Sequence, residues 1–409
     1  MAIEPRKLLI YEPYPFGTEG GNLRTLRYLL GRGNRDRLDV LLVVPFETPF
    51  TDKMKAKGVS VRVVAPSKRV NRYGGEALRD SAFGRLLTGW DLVRYNMLVR
   101  RVIRAESVDV IYANCIRAVL YTMLAGLASR TPILWYVKGE LGNRVLDTLG
   151  FIVSSRILFF CEANRDDRYP RLVSRYRKKI GVLEIGIDLD ELDAVKQADH
   201  AQLRQELDVR SENLNVIILG QLYRPKGVDL LIRAFGELAK DRAGVRLFIV
   251  GDPVLEEYQP YRAELVAMVE ELGLQDRVVF TGWRPDALEI LSTMDVLVHP
   301  SLSEGFGRAV LEAMALGKPV CASRVGGLRE SIRDGENGFS IPPGDVEALR
   351  ERLAQLLDDA DLRARFGRAA RKTVEERFLI AEKVRQFEDF AIELADSARR
   401  GIRELPRAT

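Results

Sequence analysis

Short apolar runs alternate with longer stretches of helical period along almost the whole chain. Residues 8–11, 38–43, 60–64, 108–112, 133–137, 157–160 and 180–183 are compact runs rich in Val, Ile, Leu and aromatics, and they read as buried strands. After a polar segment of mixed charge at about 188–213, a second series follows at 216–219, 246–250, 278–280, 296–298, 319–321 and 339–341. Strands separated by helical patterns predict parallel sheets covered by helices on both faces. The expected architecture is therefore α/β, with two doubly wound Rossmann-like domains facing each other across a cleft. Their boundaries fall at 1–190 and 191–378, and ligands are expected at the carboxyl ends of the strands. A terminal helical stretch at 379–409 follows, and just before and within it the apolar positions Phe378, Val384, Phe387, Phe390 and Leu394 need cover. Packing back on the first domain would supply it.

One stretch departs from simple core patterning. After the strand ending at His299-Pro300 comes Ser301-Leu-Ser-Glu304-Gly-Phe-Gly307, a tight turn, and then a helix closed by Gly317. Glu312 is the lone charge from Ala309 to Leu316, on a helix expected to be buried nearly all round, where an unpaired carboxylate is costly. Either that helix has one solvated side, or Glu312 faces a polar ligand with Glu304 presented at the helix entrance. Gly305 and Gly307 leave backbone N–H groups there uncovered, which suits a phosphate or a hydroxyl-rich group.

Other strand-to-helix turns carry suitable residues. Gly20 and Gly21 follow the first strand, where they either admit a phosphate or sugar or merely open a turn. In the second series Gly220-Gln221-Leu-Tyr-Arg224-Pro-Lys226-Gly227 places two cations at a helix start, either an anion site or ordinary surface charge. Residues 68–104 are strongly basic and interleaved with Phe83, Leu86, Leu87 and Trp90 at helical spacing, and a second basic cluster spans 165–179. These are either solvated or self-packed faces, or contacts for an anionic membrane surface or a phosphate-bearing acceptor.

Bulk composition bounds the rest. The chain has 409 residues, 46% of them hydrophobic, with 63 Lys+Arg against 58 Asp+Glu, enough for sizeable cores and only mildly basic. No nucleic-acid-binding motif is present. Cys115, Cys161 and Cys321 are far apart and without metal or redox spacing, as expected of reduced thiols. With no signal-like segment and no apolar run of spanning length, a cytoplasmic protein is expected, peripheral on the inner face of the membrane if the basic regions bind lipid.

Taken together, these residues resemble the retaining glycosyltransferases of the GT-B fold, family four. The resemblance covers nearly the whole chain and is strongest from Val216 to Asp345. Its centre is the pair Glu304 and Glu312 within Pro300-Ser-Leu-Ser-Glu-Gly-Phe-Gly and Leu-Glu-Ala-Met-Ala-Leu-Gly-Lys-Pro-Val320. Gly326-Gly327, Glu330, Asn337-Gly338 and Pro342-Pro-Gly-Asp345 follow in the family's order. Upstream, Ile185-Gly-Ile-Asp188, Val250-Gly-Asp252 and Phe280-Thr-Gly-Trp283 match as well.

The resemblance implies a retaining, metal-independent hexosyltransferase without a cofactor, whose donor is a nucleotide-diphosphate sugar, UDP- or GDP-linked. The acceptor would be a hydroxyl of a glycan, a lipid-linked saccharide or a small molecule. It further implies that Glu312 holds the ribose, that Glu304 holds a sugar hydroxyl with N–H groups of Gly305, Phe306 and Gly307, that Lys226 neutralises the diphosphate, and that Trp283 flanks the base. Two departures stand out. Gln221 occupies a position where the family usually has Arg, with Arg224 near enough to substitute, and Lys138 stands where the family often has His. A cation at Lys138 would compensate for Gln221 or select an anionic substrate. Two other readings remain: another GT-B enzyme such as a nucleotide-sugar epimerase, and a non-catalytic sugar-nucleotide-binding subunit.

Overall fold

The computed structural model describes residues 4–14, 21–71, 81–137, 143–167 and 170–401. The chain divides into two compact units, Met1–Glu184 with Ala381–Thr409, and Ile185–Ile380.

The first unit is built on seven strands: β1 (Arg6–Tyr11), β2 (Leu38–Val44), β3 (Ser60–Val63), β4 (Val110–Ala113), β5 (Ile133–Val137), β6 (Arg156–Phe159) and β7 (Ile180–Val182). They lie in the order β3-β2-β1-β4-β5-β6-β7, and every pairing is parallel. All residues of β4, β5 and β6 are buried, which explains why these runs are continuously apolar rather than alternating. On one side, Leu9, Tyr11, Ile111, Trp135 and Ile157 share a core with Tyr95, Val99, Ala118 and Val119, from the helices Ala82–Ala105 and Ile116–Ser129.

The long helix Ile380–Arg399 serves the first unit. Phe387 meets the Tyr112 ring edge-on at 5.0 Å, and Phe390 lies under the Arg156 guanidinium at 5.1 Å. Ion pairs Arg6–Asp396 at 2.7 Å and Arg37–Glu388 at 2.9 Å tie the helix to β1 and to the segment before β2. Phe378 does not join this stripe. It precedes the helix, belongs to the second unit, and packs edge-on against Phe306 at 5.7 Å.

The second unit has six strands: β8 (Leu214–Leu219), β9 (Val245–Val250), β10 (Val278–Gly282), β11 (Val296–His299), β12 (Val320–Ser323) and β13 (Phe339–Ile341). Their order is β10-β9-β8-β11-β12-β13, again all parallel. The polar segment before β8 is not an open linker. Asp188 caps the helix Leu189–Gln197, and Asp193 on that helix is held by Arg371 at 2.7 Å. The two ends of this unit are joined by the backbone, Ile187 N donating to Phe378 O and Ile380 N to Ile187 O.

Each sheet reverses its strand order once, between β1 and β4 and between β8 and β11. Chains leaving two adjacent strands toward opposite sides leave a crevice at their carboxyl ends, and that is where polar side chains collect in both units.

Candidate functional site

In the second unit the crevice is formed by the segment after β8, carrying Lys226, and the segment after β11, carrying Glu304. Leu302 N donates to Pro225 O at 2.8 Å, holding the two segments together. Gly227, at φ +66°, makes the approach possible, since a Cβ there would stand 2.3 Å from Pro300 O. Gly307, at φ +84°, starts the helix Arg308–Ala315, and a Cβ on it would come within 2.4 Å of Leu328 Cδ2.

Lys226 Nζ lies 2.5 Å from Glu304 Oε2, and His299 Nε2 lies 2.8 Å from the same oxygen. Gly305 N donates to the other oxygen at 3.0 Å. Both partners of the ion pair are largely buried, with side-chain exposures of 15% and 12%. Burial by itself would push the Glu304 carboxyl up, but the His299 N–H and the Lys226 charge outweigh it and hold the group well below the usual carboxylate range. His299 is fully enclosed, and burial pushes its imidazole down, so it is neutral near pH 7. A neutral ring that meets a carboxylate through Nε2 must carry its proton there, which leaves Nδ1 without hydrogen; Nδ1 is buried and has no hydrogen-bond partner.

Glu312 is only 4% exposed, on a helix whose residues Val310 to Ala315 are all buried, so a solvated side for this helix is excluded. Phe306 turns inward to Phe378, leaving only its backbone toward the Glu304 turn. Gly326 and Gly327 back that turn, with Gly327 N donating to Gly305 O at 3.0 Å.

The remaining expected residues are placed as follows. Trp283 is exposed, and its backbone N–H donates to Asp252 Oδ2 at 3.1 Å, joining the segments after β9 and β10. Arg224 is committed elsewhere, to Glu264 at 2.6 Å and over the Tyr261 ring at 5.3 Å, rather than to the Lys226–Glu304 pair. Gln221 is half-buried in the segment after β8. Gly21 is the first residue of the helix Gly21–Arg32, while Gly20 and Lys138 lie outside the described residues.

Two groups of residues emerge only from the tertiary structure. His299 had a faint signal in sequence, a polar residue ending an otherwise apolar strand. The other group sits at the crevice of the first unit, where Glu12 follows β1 and Asn114 follows β4. Both are buried; Asn114 Nδ2 donates to Glu12, and Tyr112 Oη donates to Asn114 Oδ1 at 3.0 Å.

Residues 199–373 match the family model described as "Glycosyl transferases group 1". The segment is a group 1 glycosyl transferase domain. Its Lys226, Glu304 and Glu312 all lie within the matched range. N-acetyl-alpha-D-glucosaminyl L-malate synthase of Bacillus anthracis is 31% identical over 190 residues, 46% of this chain and 48% of that protein. D-inositol 3-phosphate glycosyltransferase of Nocardia farcinica is 33% identical over 212 residues, 50% of this chain and 46% of that one. This chain thus covers about half the length of the relatives it matches. Among solved structures, Anabaena HepE in complex with UDP and glucose superposes with a TM-score of 0.76 at 24% identity, over 94% of this chain and 99% of HepE. The two units therefore have the GT-B fold.

Proposed function

We propose that this protein is a retaining glycosyltransferase that moves a sugar from a UDP- or GDP-sugar to a hydroxyl of a glycan, lipid-linked or small-molecule acceptor. The observation carrying this reading is the buried carboxylate pair, Glu304 at the crevice with a lysine beside it and Glu312 one helix turn in. Glu312 would accept hydrogen bonds from the ribose, and Glu304 one from a sugar hydroxyl. Lys226 would bind the diphosphate. The HepE complexes with UDP and with UDP-glucose support a uridine donor by analogy of fold.

In the reaction the acceptor oxygen bonds to the anomeric carbon on the side from which the diphosphate departs. The bond from that carbon to the phosphate oxygen breaks, and the acceptor proton passes to the leaving diphosphate. The tasks left to the protein are holding both substrates in reach and stabilising the departing charge. Lys226 and the N–H groups at the start of helix Arg308–Ala315 are suited to the second task, and the chemistry so written needs no metal.

Work at an anionic membrane surface is part of the same proposal. On the helix Ala82–Ala105, Phe83, Leu86, Trp90 and Met97 are 69%, 69%, 61% and 55% exposed, at spacings that put them on one side with Arg94 and Arg101. Leu87 is half-buried and leaves the stripe, and Asp91 is turned away, to Ser67 and Arg69. The 165–179 cluster supports lipid contact less, because Arg165 pairs with Asp166 and Lys179 Nζ donates to the Ser154 carbonyl.

The test is incubation with UDP-, GDP- and ADP-sugars, following donor hydrolysis and thermal stabilisation. Slow hydrolysis of one donor is expected. Stabilisation without turnover, with any acceptor offered, would favour a sugar-nucleotide-binding subunit, and no response to any nucleotide would defeat the enzyme reading.

A further inference from the structure

The Lys226–Glu304 contact poses a difficulty for the proposed reaction. The lysine expected to bind a donor diphosphate is occupied by the carboxylate expected to bind the donor sugar, at 2.5 Å. A diphosphate that takes Lys226 removes the only cation paired with Glu304 among the described residues' ion pairs. A carboxylate with 12% side-chain exposure that loses its cation must keep other donors, or it will swing toward water or take up a proton.

Two donors remain. Gly305 N holds Oε1, but it belongs to the residue next in sequence and moves with the turn. His299 Nε2 holds Oε2 from the end of β11, a strand paired on both sides, so its position is independent of the turn. The His299 side chain is 2% exposed and so is enclosed away from solvent. Its other nitrogen has no partner that would favour a different tautomer.

We propose that His299 is a positioning residue that keeps the Glu304 carboxylate in place for the donor sugar when a nucleoside diphosphate draws Lys226 away from it. This inference rests on the donor reading above and adds to it an exchange of partners. Without donor, Glu304 is shared by Lys226 and His299; with donor, Lys226 turns to the diphosphate, and His299 with Gly305 N retains the carboxylate.

UDP and UDP-glucose distinguish this role from a merely structural one, since only the second offers a sugar to Glu304. The full chain and its His299→Leu, His299→Gln and Lys226→Met variants are titrated with both. His299→Leu is expected to weaken UDP-glucose about tenfold or more while UDP binding stays within about twofold, the loss of one hydrogen bond to a charged group. His299→Gln, whose amide nitrogen can stand near the Nε2 position, is expected to restore most of the difference. Lys226→Met is expected to weaken both ligands together. Equal loss of both ligands in His299→Leu, loss of neither, or failure of His299→Gln to recover would overturn the assignment. If His299→Leu does not fold, the Gln variant decides: normal discrimination between the two ligands supports the role, and lost discrimination in a folded Gln variant overturns it. Wild-type protein that binds neither these two ligands nor GDP and GDP-sugars overturns the donor reading, and this inference falls with it; that outcome is recognised before any variant is made.

Discussion

Lys226 Nζ and Glu304 Oε2 are 2.5 Å apart although 78 positions separate them in the chain. The two elements that carry them follow β8 and β11, neighbours in the second sheet, so the strand order creates the pair. Removing only the cation leaves a buried carboxylate uncompensated. Lys226→Met is expected to lower the unfolding free energy of this unit by about 3 kcal/mol, and Lys226→Met with Glu304→Gln to recover much of it. Urea unfolding of the single and double variants measures both.

The pH dependence of the same carboxylate has a definite sign. Its folded-state affinity for protons is below that of the unfolded chain, so the unfolded state binds more protons as pH falls. The stability it contributes is complete above the ordinary glutamate range, at about pH 5 and higher, and is lost progressively below about pH 4. Wild type and Glu304→Gln should therefore differ by a constant amount at neutral pH and converge in acid. Denaturant midpoints from pH 7 to pH 3 check this, and a gap that widens in acid would contradict it.

Glu312 makes a separate prediction because its side chain is enclosed on the helix Arg308–Ala315. Glu312→Gln keeps the shape but not the charge, and it is expected to weaken both uridine and UDP by about tenfold, the cost of charge-assisted bonds to ribose. Calorimetric titration with both ligands tests it. Loss for UDP alone would move Glu312 from the ribose to the diphosphate.

Gly307 is a steric prediction independent of ligands. At φ +84°, with Leu328 Cδ2 where a Cβ would go, Gly307→Ala strains the backbone and displaces a core side chain. A loss of about 1–3 kcal/mol in unfolding free energy is expected. A smaller loss would mean that Leu328, itself fully buried, has room to shift.

The exposed stripe on helix Ala82–Ala105 predicts salt-sensitive binding to vesicles containing anionic lipid. Trp90→Ser with Phe83→Ser should abolish co-sedimentation, and Arg94→Glu with Arg101→Glu should weaken it by roughly 1 kcal/mol per arginine removed. Equal sedimentation with zwitterionic vesicles would remove the electrostatic part of the proposal. Self-association of wild type that the serine variant abolishes would assign the stripe to a second copy instead.

The sequence by itself determined the elements and the unusual character of Glu312. Strand runs such as 133–137 and 296–298 are legible because a strand buried on both faces must be apolar throughout, which is a local property. A lone carboxylate in the apolar helix after Gly307 is legible for the same reason. The tertiary structure alone decided the partners. Arg224 and Lys226 are two residues apart and both cationic, yet one pairs with Glu264 on the outside while the other pairs with Glu304 in the crevice. His299 reads as one more strand residue until β11 brings its Nε2 to Glu304, and Glu12 meets Asn114 only because β1 lies beside β4. Hydrophobic periodicity is set by each segment's own neighbours, whereas the pairing of charges depends on which strands lie side by side. Strand order comes from packing the whole sheet, and no single stretch of the chain encodes it.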